Sequence, residues 1–104
     1  MNIQKMLKQA QEMQEKMASA QAELGEKTVE SSVGGGKVTV VASGAGDVLS
    51  IKIDPAVVDP EDVEMLEDLV LSGVQQAIGE AKQMATDEMG KLTSGMNIPG
   101  LPGM

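Results

Sequence analysis

The chain has 104 residues, enough for one domain, and a formal net charge of −8. Cys, His, Arg, Phe, Tyr and Trp are all absent. Disulfides, thiolate sites, imidazole proton transfer, guanidinium recognition of phosphate and aromatic stacking on bases are therefore excluded. We predict no catalytic residue, no metal and no cofactor.

The first predicted element is a long helix over about residues 2–25. Its apolar side chains alternate at spacings of three and four, the 3.5-residue repeat of a coiled-coil seam. Good helix formers fill the other positions, and Gly25 is expected to end the helix. A seam of this kind is more often a helix–helix core than an adaptable partner groove. Its members are Ile3, Met6, Ala10, Met13, Met17, Ala20 and Leu24.

Three strands are predicted next, at about residues 27–33, 37–42 and 48–53, because β-branched residues cluster there with a period of two. Short glycine-rich turns join them, which predicts an antiparallel meander. In the third strand Leu49, Ile51 and Ile53 are expected on one face. The first turn, residues 34–36, resembles a phosphate loop, but Val38 occupies the position that such a loop gives to Ser or Thr.

A second long helix is predicted from Pro60 to about Leu92, with Asp59 as its N-cap and Pro60 in the first helical position. Small residues at Gly73, Ala77 and Ala81 are expected to allow close approach of another helix. Seven acidic residues between positions 54 and 68 fit a solvated helix start better than a cation site or an imitation of DNA. Residues 1–92 form one predicted domain, and residues 93–104 a flexible Gly/Pro-rich tail.

The predicted dimensions favour a dimer. The helices are about 35 and 45 Å long, whereas six-residue strands span about 20 Å, so the helices extend past the sheet. A three-stranded sheet also leaves open edges that proteins normally pair or cover. We expect a two-fold homodimer joined around the sheets, with the helix pairs projecting as arms.

Several stretches together resemble the YbaB/EbfC family of bacterial nucleoid-associated proteins. They are residues 2–14 (NIQKMLKQAQEMQ), 34–40 (GGGKVTV), 51–55 (IKIDP), 59–69 (DPEDVEMLEDL) and 97–103 (NIPGLPG). The resemblance implies an α+β fold in which two long helices flank a three-stranded antiparallel meander. It also implies a tweezer-like homodimer whose helical arms bind DNA and alter its conformation.

Candidate DNA-binding residues are the positively charged helix positions to which that resemblance points, with neighbouring amides. Taken alone, these side chains are more typical of a solvated helix face than of a DNA-binding surface. The family resemblance favours the DNA-binding interpretation instead. Lysine ammonium groups contact phosphates, and amides can add contacts beside them. The set is Lys5, Lys8, Lys16, Lys82 and Lys91, with Gln4 and Gln11.

The predicted function is that of a non-enzymatic nucleoid-associated protein, which binds double-stranded DNA with low sequence specificity and affects nucleoid organisation and gene expression. A cytoplasmic, nucleoid location follows, with no membrane partner, and other DNA-associated proteins are further expected partners. The alternative is a protein-interaction or scaffold module that uses the helical arms and an acidic surface. Charge reversal at Lys5 and Lys8 separates the two, because it should abolish only DNA binding.

Overall fold

A computed structural model of the chain describes residues 2–95 and confirms the α+β order of helix, antiparallel meander and helix. Among these residues, no helix is both long and apolar enough to cross a membrane. Residues 93–95 of the predicted tail belong to the second helix, and residues 96–104 lie outside the described part. The elements are α1 (Ile3–Glu26), β1 (Thr28–Val33), β2 (Val38–Ser43), β3 (Val48–Ile53), a short 3-10 helix (Pro55–Val57) and α2 (Val63–Gly95).

The ends of α1 show how closely the helix is joined to the sheet. Asn2 caps its start, because its side-chain oxygen accepts a hydrogen bond from the Lys5 backbone N–H at 3.2 Å. The prediction that Gly25 ends the helix is wrong, since α1 continues to Glu26. Lys27 closes it in an extended conformation, where its N–H donates to the carbonyls of the last turn. Helix and first strand thus meet without a left-handed glycine between them.

The start of α2 also differs from the prediction. Asp59 caps a preceding turn, in which its side chain accepts from the Glu61 N–H at 2.9 Å and Pro60 occupies the next position. The helix begins at Val63 and is capped by Asp62, whose side chain accepts from the Met65 N–H at 3.2 Å. Both sites carry an Asp, and proline favours the second position of a turn as much as the first position of a helix.

The sheet has the order β1-β2-β3, with both pairs antiparallel. Between β2 and β3 the register shifts by one residue, so that Val41 pairs with Ser50 and Ala42 pairs with Val48. Leu49 is therefore the extra residue of a β-bulge. Ile51 and Ile53 share a face as predicted, but Val48 rather than Leu49 continues the pairing opposite Ala42.

The core lies between α2 and the middle of the sheet. Gly73 of α2 lies so close to β2 that a Cβ there would come within 3.0 Å of the Val40 side chain. Ala77 and Ala81 are fully buried with Val38, Val40 and Ala42 in the same cluster. The small residues thus allow approach of a strand, not of another helix as predicted. Because α2 covers mainly β1 and β2, every residue of the edge strand β3 remains exposed.

Candidate nucleic-acid interface

The two helices form an arm beyond the hairpin that joins β2 to β3, and the chain has extents of 72 × 25 × 16 Å. Next to that hairpin, Gln21 and Leu24 of α1 line one cavity with Ala85 and Met89 of α2. Further from the sheet, Lys16 and other α1 residues line a groove with Lys91 of α2. The helices therefore run antiparallel, and α2 approaches earlier α1 residues as it leaves the sheet.

Three contacts attach α1 to the rest of the domain at its sheet end. Leu24 is buried, and its carbonyl lies directly against Gly44 of the hairpin, where no Cβ fits. The Gly44 N–H donates to the carbonyl of Lys27 at 2.9 Å. The Lys27 ammonium in turn donates to Glu88 Oε1 at 3.0 Å and so ties the base of α1 to α2. The direction of the arm is determined at this junction.

The first half of α1 extends past the end of α2. In both contact regions, an α1 residue and the α2 residue that faces it have numbers that add up to about 110. By the same relation, Gly95 of α2 lies opposite about residue 15 of α1. Residues 3–14 therefore continue for about 18 Å at 1.5 Å per residue. Most of their apolar side chains are uncovered within the described chain, as the exposures of Ile3 (66%) and Met6 (56%) show, whereas Met13 is partly buried. The heptad seam is buried only near the sheet, and coiled-coil pairing of its first half stays a prediction.

Lys5, Lys8 and Lys16 occupy one side of α1. At about 100° per residue they fall within a sector of about 80°, centred well away from the apolar seam. All three are exposed, as are Gln4 and Gln11 beside them. The apolar seam and the lysines thus occupy different sides of the same projecting helix.

The candidate lysines of α2 do not share one surface. Lys91 lies with Lys16 on the groove between the helices, which has a volume of about 370 Å³. Lys82 is nine residues earlier, about two and a half helical turns, and so lies on the opposite side of α2 from Lys91. The structure brings Lys16 and Lys91 together and leaves Lys82 apart from them.

None of the candidate lysines forms an ion pair among the described residues, so their ammonium groups are available to contact phosphate. Among the residues that the structure describes, the only ion pairs are Lys27–Glu88 and Lys37–Asp54. The hydrogen bond and charge of Lys27 lower the pKa of the Glu88 carboxyl, and the nearby Lys91 charge lowers it further. Lys27 was not among the predicted site residues, because its partner is 61 positions away in sequence.

The acidic residues at the start of α2 lie at the other end of the domain from the arm. Asp62, Glu64 and Asp68 line an open depression of about 380 Å³ with Met65 and a neighbouring leucine. On the straight path of α2, 23 residues separate Asp68 from Lys91, which corresponds to about 35 Å. Within residues 2–95, no group of three or more acidic side chains is arranged to hold a metal ion.

Comparisons of the sequence with known proteins identify one family, and a solved structure shares the fold. A model of the YbaB/EbfC DNA-binding family matches residues 1–96. A nucleoid-associated protein of Thermoanaerobacter sp. (strain X514) is 57% identical over 100 residues, covering 96% of this chain and 90% of its own. One from Pelotomaculum thermopropionicum is 52% identical, covering 96% and 95%. The crystal structure of an uncharacterized Helicobacter pylori protein has a similar fold, with a TM-score of 0.63 at 19% identity over 75% of this chain and 90% of that one.

Proposed function

The chain belongs to the YbaB/EbfC DNA-binding family, and on that premise we propose that it is a nucleoid-associated protein that binds double-stranded DNA through the lysines of its helical arm. Its relatives at 52–57% identity bear the name nucleoid-associated protein. In this proposal the protein has no catalytic step. It alters the conformation of DNA by holding it, and so affects nucleoid organisation and gene expression.

The observation that carries the proposal is the placement of Lys5 and Lys8. Both are exposed and unpaired among the described residues, on a helix that extends past α2 and away from the acidic start of that helix. Residues 3–16 hold three lysines and two glutamates, a net charge of +1 in a chain of net charge −8. This part of α1 can approach a phosphate backbone that the acidic end would repel.

The residue types define which nucleic acid suits the arm. Lysine is a point charge on a flexible stem and contacts phosphate without selecting a base, whereas base-edge discrimination commonly uses the arginine fork that this chain lacks. Single strands are usually gripped by aromatic rings, which are also absent. The expected ligand is duplex DNA of any sequence.

A homodimer is the second part of the proposal. The edge strand β3 exposes Val48, Ile51 and Ile53 at 38–42% of their surface, on the same side of the sheet as the core. Such an edge is normally paired or covered. Pairing with a second copy would give two arms in one particle, the tweezer-like arrangement that the family resemblance implies.

The salt dependence of DNA binding tests the proposal. If a dimer uses Lys5, Lys8 and Lys16 of both chains, six phosphates are contacted and log K falls with log salt at a slope of about −5. With Lys5→Gln and Lys8→Gln together, two contacts remain and the slope falls to about −2. Mobility shift of random-sequence duplex over a series of about 50–300 mM salt measures both slopes.

Lys52→Gln is the control for loss of one charge, because Lys52 is exposed outside the arm, on the face of β3 opposite the apolar side chains proposed for the dimer, and forms no ion pair among the described residues. It should leave the slope unchanged. Because the arm variant removes two lysines per chain and the control removes one, a slope change in the control half as large as that in the arm variant would show that only total charge matters. Unaltered binding by the arm variant would refute the assignment of Lys5 and Lys8.

A protein-interaction module is the second candidate. Exposed Val63 and Met65 stand among the carboxylates at the start of α2, a mixture that suits a basic partner with apolar side chains. If that is the function, replacing Val63 and Met65 with serine should abolish partner capture, and the arm variant should not. Failure of the duplex to bind at about 50 mM salt would favour this candidate.

A further inference from the structure

The first half of α1 carries an apolar surface that none of the described residues covers. Ile3 and Leu7, at 66% and 59%, are the two most exposed large apolar side chains within residues 2–95, and Met6 is 56% exposed. Ala10 is exposed next to them, whereas Met13, the next position of the heptad seam, is partly buried. We refer to the four exposed residues as the tip stripe. Contiguous apolar surface on a projecting helix usually has an occupant.

The residues around the tip stripe separate it from every charge of the first half of α1. At about 100° per residue, the stripe falls within a sector of about 100°, and the charged side chains fall within about 80° on the opposite side. Exposed glutamines occupy both boundaries, Gln4 and Gln11 on one and Gln9 on the other. The charged residues are Lys5, Lys8, Glu12 and Glu15. An apolar centre with a neutral polar rim is the anatomy of a protein–protein interface, and this rim carries no charge that would repel an identical surface.

The heptad spacing indicates which partner fits the tip stripe. Nearer the sheet, the same seam already packs helix against helix, because Leu24 is buried beside Ala85 of α2 and Ala20 shares a groove with Leu92. The tip stripe continues this seam beyond the described end of α2. A heptad seam is matched by a helix with the same repeat. A second copy of α1 has that repeat, at identical spacing and with the same neutral rim.

We propose that the tip stripes of two copies pack against each other, so that α1 of one chain pairs with α1 of another. Lys5 and Lys8 face away from the paired surface and stay accessible. Four side chains from each copy bury much less than the roughly 800 Å² per partner of a stable complex, so the pairing is weak, with a dissociation constant on the order of 1 mM.

The pairing uses a different surface from the β3 edge, so it links one proposed dimer to the next. Where DNA holds dimers close together, their raised local concentration favours the contact. That consequence rests on the proposed function, whereas the pairing itself does not.

Sedimentation equilibrium without DNA tests the pairing. In an Ile51→Lys background, which removes the proposed β3 contact, monomers should give way to dimers between about 20 μM and about 1 mM protein. Adding Met6→Gln with Leu7→Gln should keep the chain monomeric, and glutamine preserves the helix. Lys8→Gln with Glu12→Gln is the control, because it keeps the net charge and lies on the opposite side of α1. Equal association of the two double variants would overturn the proposal.

The outcome can be read whether or not β3 forms a dimer. If Ile51→Lys leaves a dimer at about 20 μM, only the proposed β3 contact fails, and the growth beyond that dimer is compared between the same two variants.

Methyl NMR over the same concentration range locates the contact. The methyl signal of Met6 should move as the protein concentration rises, whereas that of Met65, which is 40% exposed at the start of α2, should not. A Met6 signal that stays constant, or that moves only when duplex DNA is added, would overturn the proposal, because a second copy would then not cover the stripe.

Discussion

Gly44→Ala should loosen the arm at its base. A Cβ at this position would overlap the Leu24 carbonyl oxygen, approach the Leu24 carbonyl carbon to 3.1 Å and reach Met84 Cε at 2.9 Å. The methionine can rotate away, but the Leu24 carbonyl belongs to the last turn of α1 and moves only with the helix. The substitution therefore separates the hairpin from α1 or strains both.

Overpacking of this kind typically costs about 1–3 kcal/mol, and the backbone contact suggests about 2–3 kcal/mol. For a domain near 100 residues each kcal/mol lowers the melting temperature by about 4–8 °C, so a fall of roughly 10–20 °C is expected. Circular dichroism during thermal unfolding measures it. DNA affinity should fall as well at temperatures where the variant is folded, because the direction of α1 is determined at this contact.

Gly79→Ala is the matched control. Gly79 is exposed in the interior of α2, and a Cβ there meets nothing within 4 Å. Alanine should stabilise that helix by about 0.5–1 kcal/mol, so the two glycine substitutions should have opposite signs. If Gly44→Ala melts at the wild-type temperature, the close contact between Leu24 and the hairpin does not exist, and the reasoning about the base of the arm fails.

Three further predictions concern the cap, the sheet edge and acid stability. Asp62→Ala should cost about 1 kcal/mol in chemical unfolding through loss of the α2 cap, whereas an effect no larger than that of Asp62→Asn would contradict the cap. Ile51→Lys should shift the proposed dimer toward monomer in sedimentation equilibrium, and Leu71→Lys, at an exposed position of α2, should not. The pKa values of Glu88 and Asp54 are lowered on folding, so their stabilisation is present above the ordinary values of 4.5 and 3.8 and is lost as pH falls below them. Acid unfolding of Glu88→Gln should therefore depend less on pH than that of the wild type.

Element types were predictable because each segment repeats its apolar residues with a single period. The third strand was predicted at its observed bounds, and α2 was displaced by three residues at both ends. The start was misplaced because Asp59 and Asp62 are equally suitable as helix caps by sequence. Only the geometry of the turn between them shows that Asp62 caps α2. The bulge at Leu49 was not predictable, because a bulge is a property of the pairing between strands.

The candidate site was likewise predictable from the sequence only in part. The family resemblance, and not the residues alone, selected Lys5 and Lys8, and the helix then places both on one surface away from the apolar seam. The adjacency of Lys16 and Lys91 depends on how two helices distant in sequence pack, as does the pairing of Lys27 with Glu88. The small residues of α2 were assigned to the wrong neighbour for the same reason, since a Gly and two Ala suit a strand as well as a helix.

The separation of charge explains how an acidic chain can bind DNA, and it predicts where that binding should weaken. About 35 Å separates the acidic start of α2 from Lys91, whereas screening acts over about 8–10 Å at 0.1–0.15 M salt and about 30 Å at 0.01 M. The repulsion of the acids should therefore reach bound DNA only near 0.01 M salt, where log K should fall below the line extrapolated from higher salt. The charge-neutralising variant Glu64→Gln with Asp68→Asn should bring log K at about 0.01 M back to the extrapolated line, and it should leave log K near about 0.15 M unchanged. An equal gain at both salt concentrations would mean that the acids lie close to the bound duplex, in contradiction to the extended arm.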